Sequence, residues 1–356
     1  IKRIFGVPPS CYGQPGSSWG VQTYAALKRL GIGMYLDEAN HVGINDQPFY
    51  YCGMLNVFKM RSNVARMELS GPNHAAEGKE KFMQSYRKLR GQGGGTISIY
   101  YHPNEWVQRE FWDAVNFSHG ANPPREAWKR PGVKTAAETE QAFRDFEEYV
   151  TFIKAQPGVQ FVTASELTKL YADRAAERPI GWENLNALAR AASREITFQQ
   201  FGDVAYSGAD TFALLTMALL SDEGRDARPH TLRPVQLLGP TRPFVPSPAG
   251  RPESVSWGAF RKAAGKVFDY VRSTGRVPDE VRFQNYSISP EDYLATLAAV
   301  VEKVLEDKQP PAKIKFRTGK VTAVQYVAED SPKLWNWVIH PAGFHAPKIM
   351  ELARLQ

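Results

Sequence analysis

What most constrains this chain is a repeated change of apolar period over its first 175 or so residues. Lys2 to Val7 reads as a short strand entering a Pro-rich turn. Val21, Tyr24, Ala25, Leu27 and Leu30 recur at helical spacing and predict a helix that begins at Ser18 and ends at Gly31. A strand over Gly33-Met34-Tyr35-Leu36 then leads into Asp37-Glu38-Ala39-Asn40-His41, and Phe49 to Leu55 reads as a further apolar strand. Ser70 to Lys79 is polar and reads as a loop before a helix over Glu80 to Arg90. The run Gly91-Gln92-Gly93-Gly94-Gly95 opens a strand from Thr96 to Tyr101. A helix over Ala142 to Ala155, the turn Pro157-Gly158, a strand over Val159 to Thr163 and a last helix capped by Ser165 complete the series. Strand and helix alternating in this order predict parallel βαβ units. Chemistry in such folds gathers where strands end. Two segments meet that condition: Asp37-Glu38 with His41, and Tyr100-Tyr101-His102-Pro103-Asn104-Glu105-Trp106. The stretch from Glu105 to Thr139 is rich in Trp, Pro, Asn and Gly and reads as a long functional loop.

Beyond residue 180 the pattern changes. Glu195-Ile196-Thr197-Phe198 precedes Ser207, Asp210, Ala213 and Leu215, while Glu280-Val281-Arg282-Phe283 precedes Ser289, Asp292, Ala295 and Leu297. Each unit reads as a short strand followed by a helix whose Ser and Asp cap its first turn. The expectation is an internal repeat, about 195–220 and about 280–305, joined by a Pro-rich connector between Arg225 and Glu253. Val267 to Arg272 reads as helix ended by Gly275, and Ile314 to Val327 as a hairpin turning at Thr318-Gly319.

A chain of 356 residues, 43% of them hydrophobic, has room for two or three domains with a sizeable core. Its net charge is +7, with Lys and Arg scattered rather than clustered. That distribution reads as a solvated basic surface, with no nucleic-acid motif and no nucleic-acid partner expected. Cys11 and Cys52 allow one bridge or two free thiols and form no CxxC pair. No run of 18 apolar residues occurs, so no membrane span is expected. The chain starts at Ile1 without a signal peptide and reads as a processed or partial chain. Aromatic side chains make up 12%; Trp19 and Trp106 are either sugar-stacking surfaces or packing residues.

Pro8-Pro9-Ser10-Cys11-Tyr12-Gly13, the helix ending in Leu27-Lys28-Arg29-Leu30-Gly31-Ile32, the strand Ile97-Ser98-Ile99-Tyr100-Tyr101-His102 and the strand Gly158-Val159-Gln160-Phe161-Val162-Thr163 resemble the later motifs of NodB-type polysaccharide deacetylases, carbohydrate esterase family four. The resemblance covers about residues 1–172. It departs at Pro9, where the family carries Arg, and at Cys11, where it carries Pro; Asp37-Glu38 lies where a fourth motif falls but lacks the family's Asp-Trp ending. The implied fold is α/β: a partial, distorted (β/α) barrel over 1–175, the C-terminal part of the family's domain. A mainly helical α+β module follows over 176–356, and its segment Val271 to Leu297 resembles pseudomurein-binding repeats.

The resemblance implies metal-dependent removal of N- or O-acetyl groups from a polysaccharide. His102 would protonate the leaving group, Asp37 and Glu38 would be catalytic carboxylates, and backbone N–H groups near Tyr12 would hold the oxyanion. Tyr12, Trp19, His41, Tyr101, Glu105 and Trp106 would contact the sugar. The implied cofactor is a divalent metal, zinc, and the implied compartment is extracellular or periplasmic, with possible cell-wall attachment through the second half. The family's metal ligands come from an Asp-Asp and a His-x-x-x-His motif, and neither occurs here. Those ligands either lie outside this chain or have been lost. Loss would leave a non-catalytic glycan- or cell-wall-binding protein. A third alternative is a glycoside hydrolase in which Glu38 or Glu105 works with a second carboxylate roughly 5 to 9 Å away.

Overall fold

The computed structural model describes residues 1–14, 22–37, 48–51, 53–58, 65–202, 204–221, 232–235, 237–246, 250–307, 309–322, 333–334, 337–338 and 354–355. It is a mixed α/β structure with small sheets, and no closed barrel forms among the described residues.

The chain opens with α1 (Lys2–Phe5), a single helical turn rather than the expected strand. Among the described residues no strand pairs with this segment, and Gly6, at φ 76°, closes the turn in the left-handed conformation. β1 (Cys11–Gln14), α2 (Gln22–Arg29) and β2 (Met34–Asp37) form a βαβ unit, with β1 and β2 parallel and Tyr12 opposite Tyr35. The expected single strand over 49–55 is instead two antiparallel strands, β3 (Phe49–Tyr51) and β4 (Met54–Phe58), which turn at Gly53 with φ 72°. Only a residue tolerant of positive φ permits so tight a reversal. β4 pairs in parallel with β2. Tyr24 of α2 is fully buried, stacks on Tyr35 and donates its hydroxyl to Asn56 of β4, which anchors the helix to the sheet.

The strands expected at 96–101 and 159–163 are not strands in the structure; residues 65–69 and 96–101 meet where the Ala65 N–H donates to the Ser98 carbonyl. Between them lies α3 (His74–Gly91). After 101 come a 3-10 turn (Pro103–Trp106), α4 (Trp112–Phe117), α5 (Ala136–Lys154) and α6 (Ala164–Leu170). Thr163, not Ser165, caps α6: its hydroxyl accepts from the Glu166 N–H while Glu166 reaches back to the Thr163 N–H. α3 and α5 pack together over the extended segments, and the Tyr149 hydroxyl donates to the Ala65 carbonyl.

A separate core gathers side chains from Ala175 to Ile314. After the short α7 (Arg174–Glu177), a helix–hairpin–helix unit occurs twice. The first is α8 (Trp182–Ala192), β5 (Gln199–Phe201), β6 (Val204–Tyr206) and α9 (Gly208–Ser221). β7 (Ser254–Ser256) then leads into the second: α10 (Trp257–Thr274), β8 (Val281–Arg282), β9 (Ser287–Ile288) and α11 (Pro290–Asp307). The units exchange partners, so that α8 packs on α11 and α9 on α10. Ser207 and Asp210 cap α9 reciprocally. In the second unit Ser289 still caps, but the Asp292 carboxylate is turned to Arg251 and to the Gly319 N–H.

The second arm of the hairpin expected at 314–327 lies outside the described residues from 323 on; β10 (Lys313–Lys315), where the first arm begins, pairs antiparallel with β7. Ile314 is buried in the core there, and Gly319 lies so close to the Glu291 carbonyl that any larger residue would clash. Near the end, β11 (Lys333–Leu334) pairs with β12 (Trp337–Val338), and β13 (Arg354–Leu355) joins the edge of β3, giving the five-stranded order β1-β2-β4-β3-β13.

Candidate functional site

The site is built where the extended segment 96–101 ends. Tyr101 fixes that end. Its hydroxyl donates to the Met67 carbonyl and accepts from the Met67 N–H, and its ring packs on Trp106 and Phe146. Burial pushes the Tyr101 phenol up to about 12. With its hydroxyl spent twice on one backbone residue, Tyr101 holds two chain segments together.

Pro103 starts the 3-10 turn immediately afterwards, which leaves His102 at the N-cap with extended backbone. Glu105 curls back: its Oε1 accepts from the His102 N–H at 3.0 Å and from His102 Nδ1 at 2.7 Å. A carboxylate only accepts, so Nδ1 carries the proton. Nε2 has no hydrogen-bond partner among the described residues. The two residues differ sharply in exposure: the imidazole is 52% exposed, the Glu105 side chain 8%. The buried carboxylate is balanced by Arg66, whose guanidinium reaches Oε2 and lies 5.6 Å from the ring centres of both Tyr100 and Tyr101. Lys134 Nζ donates to the carbonyls of Glu105 and Leu69 and pins the turn from below. The result is a chain from Arg66 through Glu105 to His102 that fixes one tautomer and offers the other ring nitrogen outward.

His102 and Tyr100 line an elongated, mainly apolar cavity of about 870 Å³. Gly13, Leu36 and Val57, each one residue before the end of β1, β2 or β4, line it as well. The ring of Phe111 stands edge-on to the His102 ring at 4.9 Å.

The residues singled out in the sequence therefore separate. Glu105 stands behind His102, and Trp106 is part-buried between Tyr101, Phe143 and Phe146. Tyr12 packs edge-on against Tyr35 in the sheet. Asp37 closes β2, and its side chain lies outside the described residues, as do Trp19, Glu38 and His41. Arg66 and Lys134 went unread. The signal for Arg66 was the alternation Ala65-Arg66-Met67-Glu68-Leu69, in which residues 65, 67 and 69 are buried and the two charged residues face the other way.

Among the described residues of this site a divalent ion finds no ligand set. No group of three or more His, Cys, Asp or Glu is placed to hold one among the described residues. The Nδ1 of His102 and the Glu105 carboxylate are already turned to each other and to Arg66.

Fold and site together define a mixed α/β protein that carries an Arg–Glu–His chain at the wall of an apolar cavity. No protein-family model matches this chain. No curated protein and no solved structure matches it either. No described helix is long and apolar enough to cross a membrane.

Proposed function

We propose that this protein is a glycan deacetylase in which His102 delivers a proton to the leaving nitrogen or oxygen of an N- or O-acetyl sugar. The observation that carries this reading is the hydrogen bond from His102 Nδ1 to the buried Glu105 carboxylate, with Nε2 unpartnered beside the cavity. Water attacks the acetyl carbon, the C–N or C–O bond breaks, and His102, entering the step with a second proton on Nε2 while Nδ1–H stays hydrogen-bonded to Glu105, passes that second proton to the departing atom, giving acetate and a free amine or hydroxyl. Asp37 and Glu38 are the candidates to take the proton from water, and backbone N–H groups near Tyr12 the candidates to hold the oxyanion.

No step is routed through a metal ion, since the described residues do not form a site for one. We read the parallel strands β1, β2 and β4, with the extended segments after them, as part of a distorted (β/α) barrel. The helix–hairpin–helix repeats are read as a module that attaches the protein to a cell wall in an extracellular or periplasmic setting.

The test is acetate release from acetylated oligosaccharides by the full-length protein, measured with and without added divalent metal. His102→Ala should cut the rate by about 100-fold or more. Glu105→Gln, which loosens the hold on the imidazole and also leaves Arg66 without its charge partner, should lower kcat by about tenfold with KM unchanged and lower the melting temperature as well. Activity in His102→Ala equal to that of the unaltered protein would overturn the proposal. Glycan binding with no turnover under any metal condition would favour a purely binding role.

A further inference from the structure

The segment from Val107 to Lys134 leaves the fold immediately after the His102 turn and returns to the point where it left. Its base is pinched shut: the Arg109 N–H donates to the Gly132 carbonyl at 2.8 Å, and the Lys134 N–H to the Val107 carbonyl at 2.9 Å. Its middle is braced by Asn116, only 5% exposed, whose amide donates to the Lys129 carbonyl at 2.9 Å and accepts from the Lys129 N–H at 2.7 Å. Arg109 ties the base to α5 through both oxygens of Glu138. Such bracing makes an excursion whose side chains are positioned before any ligand arrives.

Two large rings are left in the open. Trp112 is 40% exposed and Trp128 41% exposed, set edge to face with centres 5.9 Å apart. The Trp128 indole N–H is held by the Pro123 carbonyl. Trp112 directly follows Phe111, the ring that abuts His102, so the aromatic surface continues outward from the site. Three cations accompany it: Arg125, Lys129 and Arg130 are all exposed and have no ion-pair or hydrogen-bond partner for their side chains among the described residues. Lys81 and Lys154 are likewise exposed without such a partner among the described residues, so what marks these three is their place in the same excursion as the two exposed indoles.

We infer that this excursion binds an acidic, uronate-bearing polysaccharide. The indole faces take the C–H faces of the sugar rings, and Arg125, Lys129 and Arg130 pair with the carboxylates. Free guanidinium and ammonium groups beside apolar ring faces match a ligand that is flat, hydroxylated and anionic at once. A single-stranded nucleic acid shares the charge but stacks successive bases on parallel rings. The two indoles meet at 89° and offer no such ladder. The direction of the bound chain, toward His102, rests on the glycan reading of that residue; its affinity does not.

Titration calorimetry of the full chain decides the matter, using oligogalacturonate, neutral N-acetylglucosamine oligomers of the same length and a single-stranded oligonucleotide. The acidic oligosaccharide should bind at least about tenfold more tightly than the neutral one at low salt, and the preference should fade as salt shortens the screening length. Arg125→Gln, Lys129→Gln and Arg130→Gln together should erase the preference. These side chains hold no hydrogen bond or ion pair among the described residues, and an unchanged melting temperature of the variant checks that the fold is intact. Trp112→Ala and Trp128→Ala should each weaken both glycans by about fivefold. Acetate release is read on the same samples, so absent release with the acidic preference intact sinks only the catalytic reading, and a lost preference with release intact sinks only this one. Equal affinity for acidic and neutral oligomers, survival of the preference in the triple variant, or tighter binding of the oligonucleotide would each overturn the inference.

Discussion

At position 102 a half-exposed imidazole owes its orientation to side chains that substrate would never touch. Glu105 is buried and charged, a state that is costly unless paired. Arg66 supplies the pairing. Its own side chain is 18% exposed, and its Nε is buried without a hydrogen-bond partner among the described residues, so the cation is itself held at some cost. Arg66→Met would keep most of the packing on Tyr100 and Tyr101 while removing the charge. It should destabilise the protein by about 3 kcal/mol, because it strands a buried carboxylate. Denaturant unfolding measures this directly, and a loss below about 1 kcal/mol would show that solvent, not Arg66, balances Glu105.

Among the elements, α3 separates what the sequence reveals from what it conceals. The polar stretch with Gly71, Pro72 and Gly78 reads as loop up to Lys79, yet α3 begins at His74 and carries Gly78 within it. A glycine there is weak helix former but necessary spacing: a Cβ on Gly78 would sit 2.5 Å from Cβ and Cγ of Met67. Propensity alone would make Gly78→Ala stabilising by up to about 1 kcal/mol. Overpacking against Met67 reverses the sign, and a net loss of about 1–2 kcal/mol should appear as a lowered melting temperature. Local patterns such as the βαβ alternation and the Ser-x-x-Asp caps were legible because period and capping are properties of neighbouring residues. Contacts such as Met67 with Gly78, or Arg66 with Glu105, were not, because they join positions that only the tertiary fold brings together. The α5 cap is local too, yet the stretch through Thr139 reads as loop in the sequence and the helix starts earlier, at Ala136; the cap has a pH signature. The Thr135 N–H, then the Arg109 guanidinium and the Thr135 hydroxyl hold the Glu138 carboxylate down to about 2 from its ordinary 4.5. A depressed carboxylate stabilises fully above its unfolded value, and that contribution is lost as pH falls from about 4.5 toward 2. The difference in melting temperature between the unaltered protein and Glu138→Gln should therefore be constant near neutrality and shrink over that window. A difference independent of pH down to 2 would show that the carboxylate is not engaged in solution.

At the level of the whole molecule, exchanged packing sets how the protein comes apart. The two helix–hairpin–helix units do not stack as separate blocks, since α8 lies on α11 and α9 on α10. At their junction Tyr293, wholly buried, stacks on Phe260, tilts against Phe212 and hydrogen-bonds Thr216, so one residue of the second unit touches both helices of the other pair. α8 also packs on α9 within the first unit, but both of these helices pack on helices of the second as well, so the core is shared. Leu188 of α8 is fully buried in this shared core, and Leu188→Ala should cost about 2–5 kcal/mol. Because α8 contributes to the core that all four helices share, the loss should appear as faster amide exchange across α8, α9, α10 and α11 together. The separate cluster of α3 and α5, built from Met67, Phe82, Tyr149 and Ile153, should keep its protection. Hydrogen exchange read by mass spectrometry distinguishes the outcomes. Acceleration confined to α8 would mean that the units open independently, and acceleration in α3 as well would mean that the chain unfolds as one block.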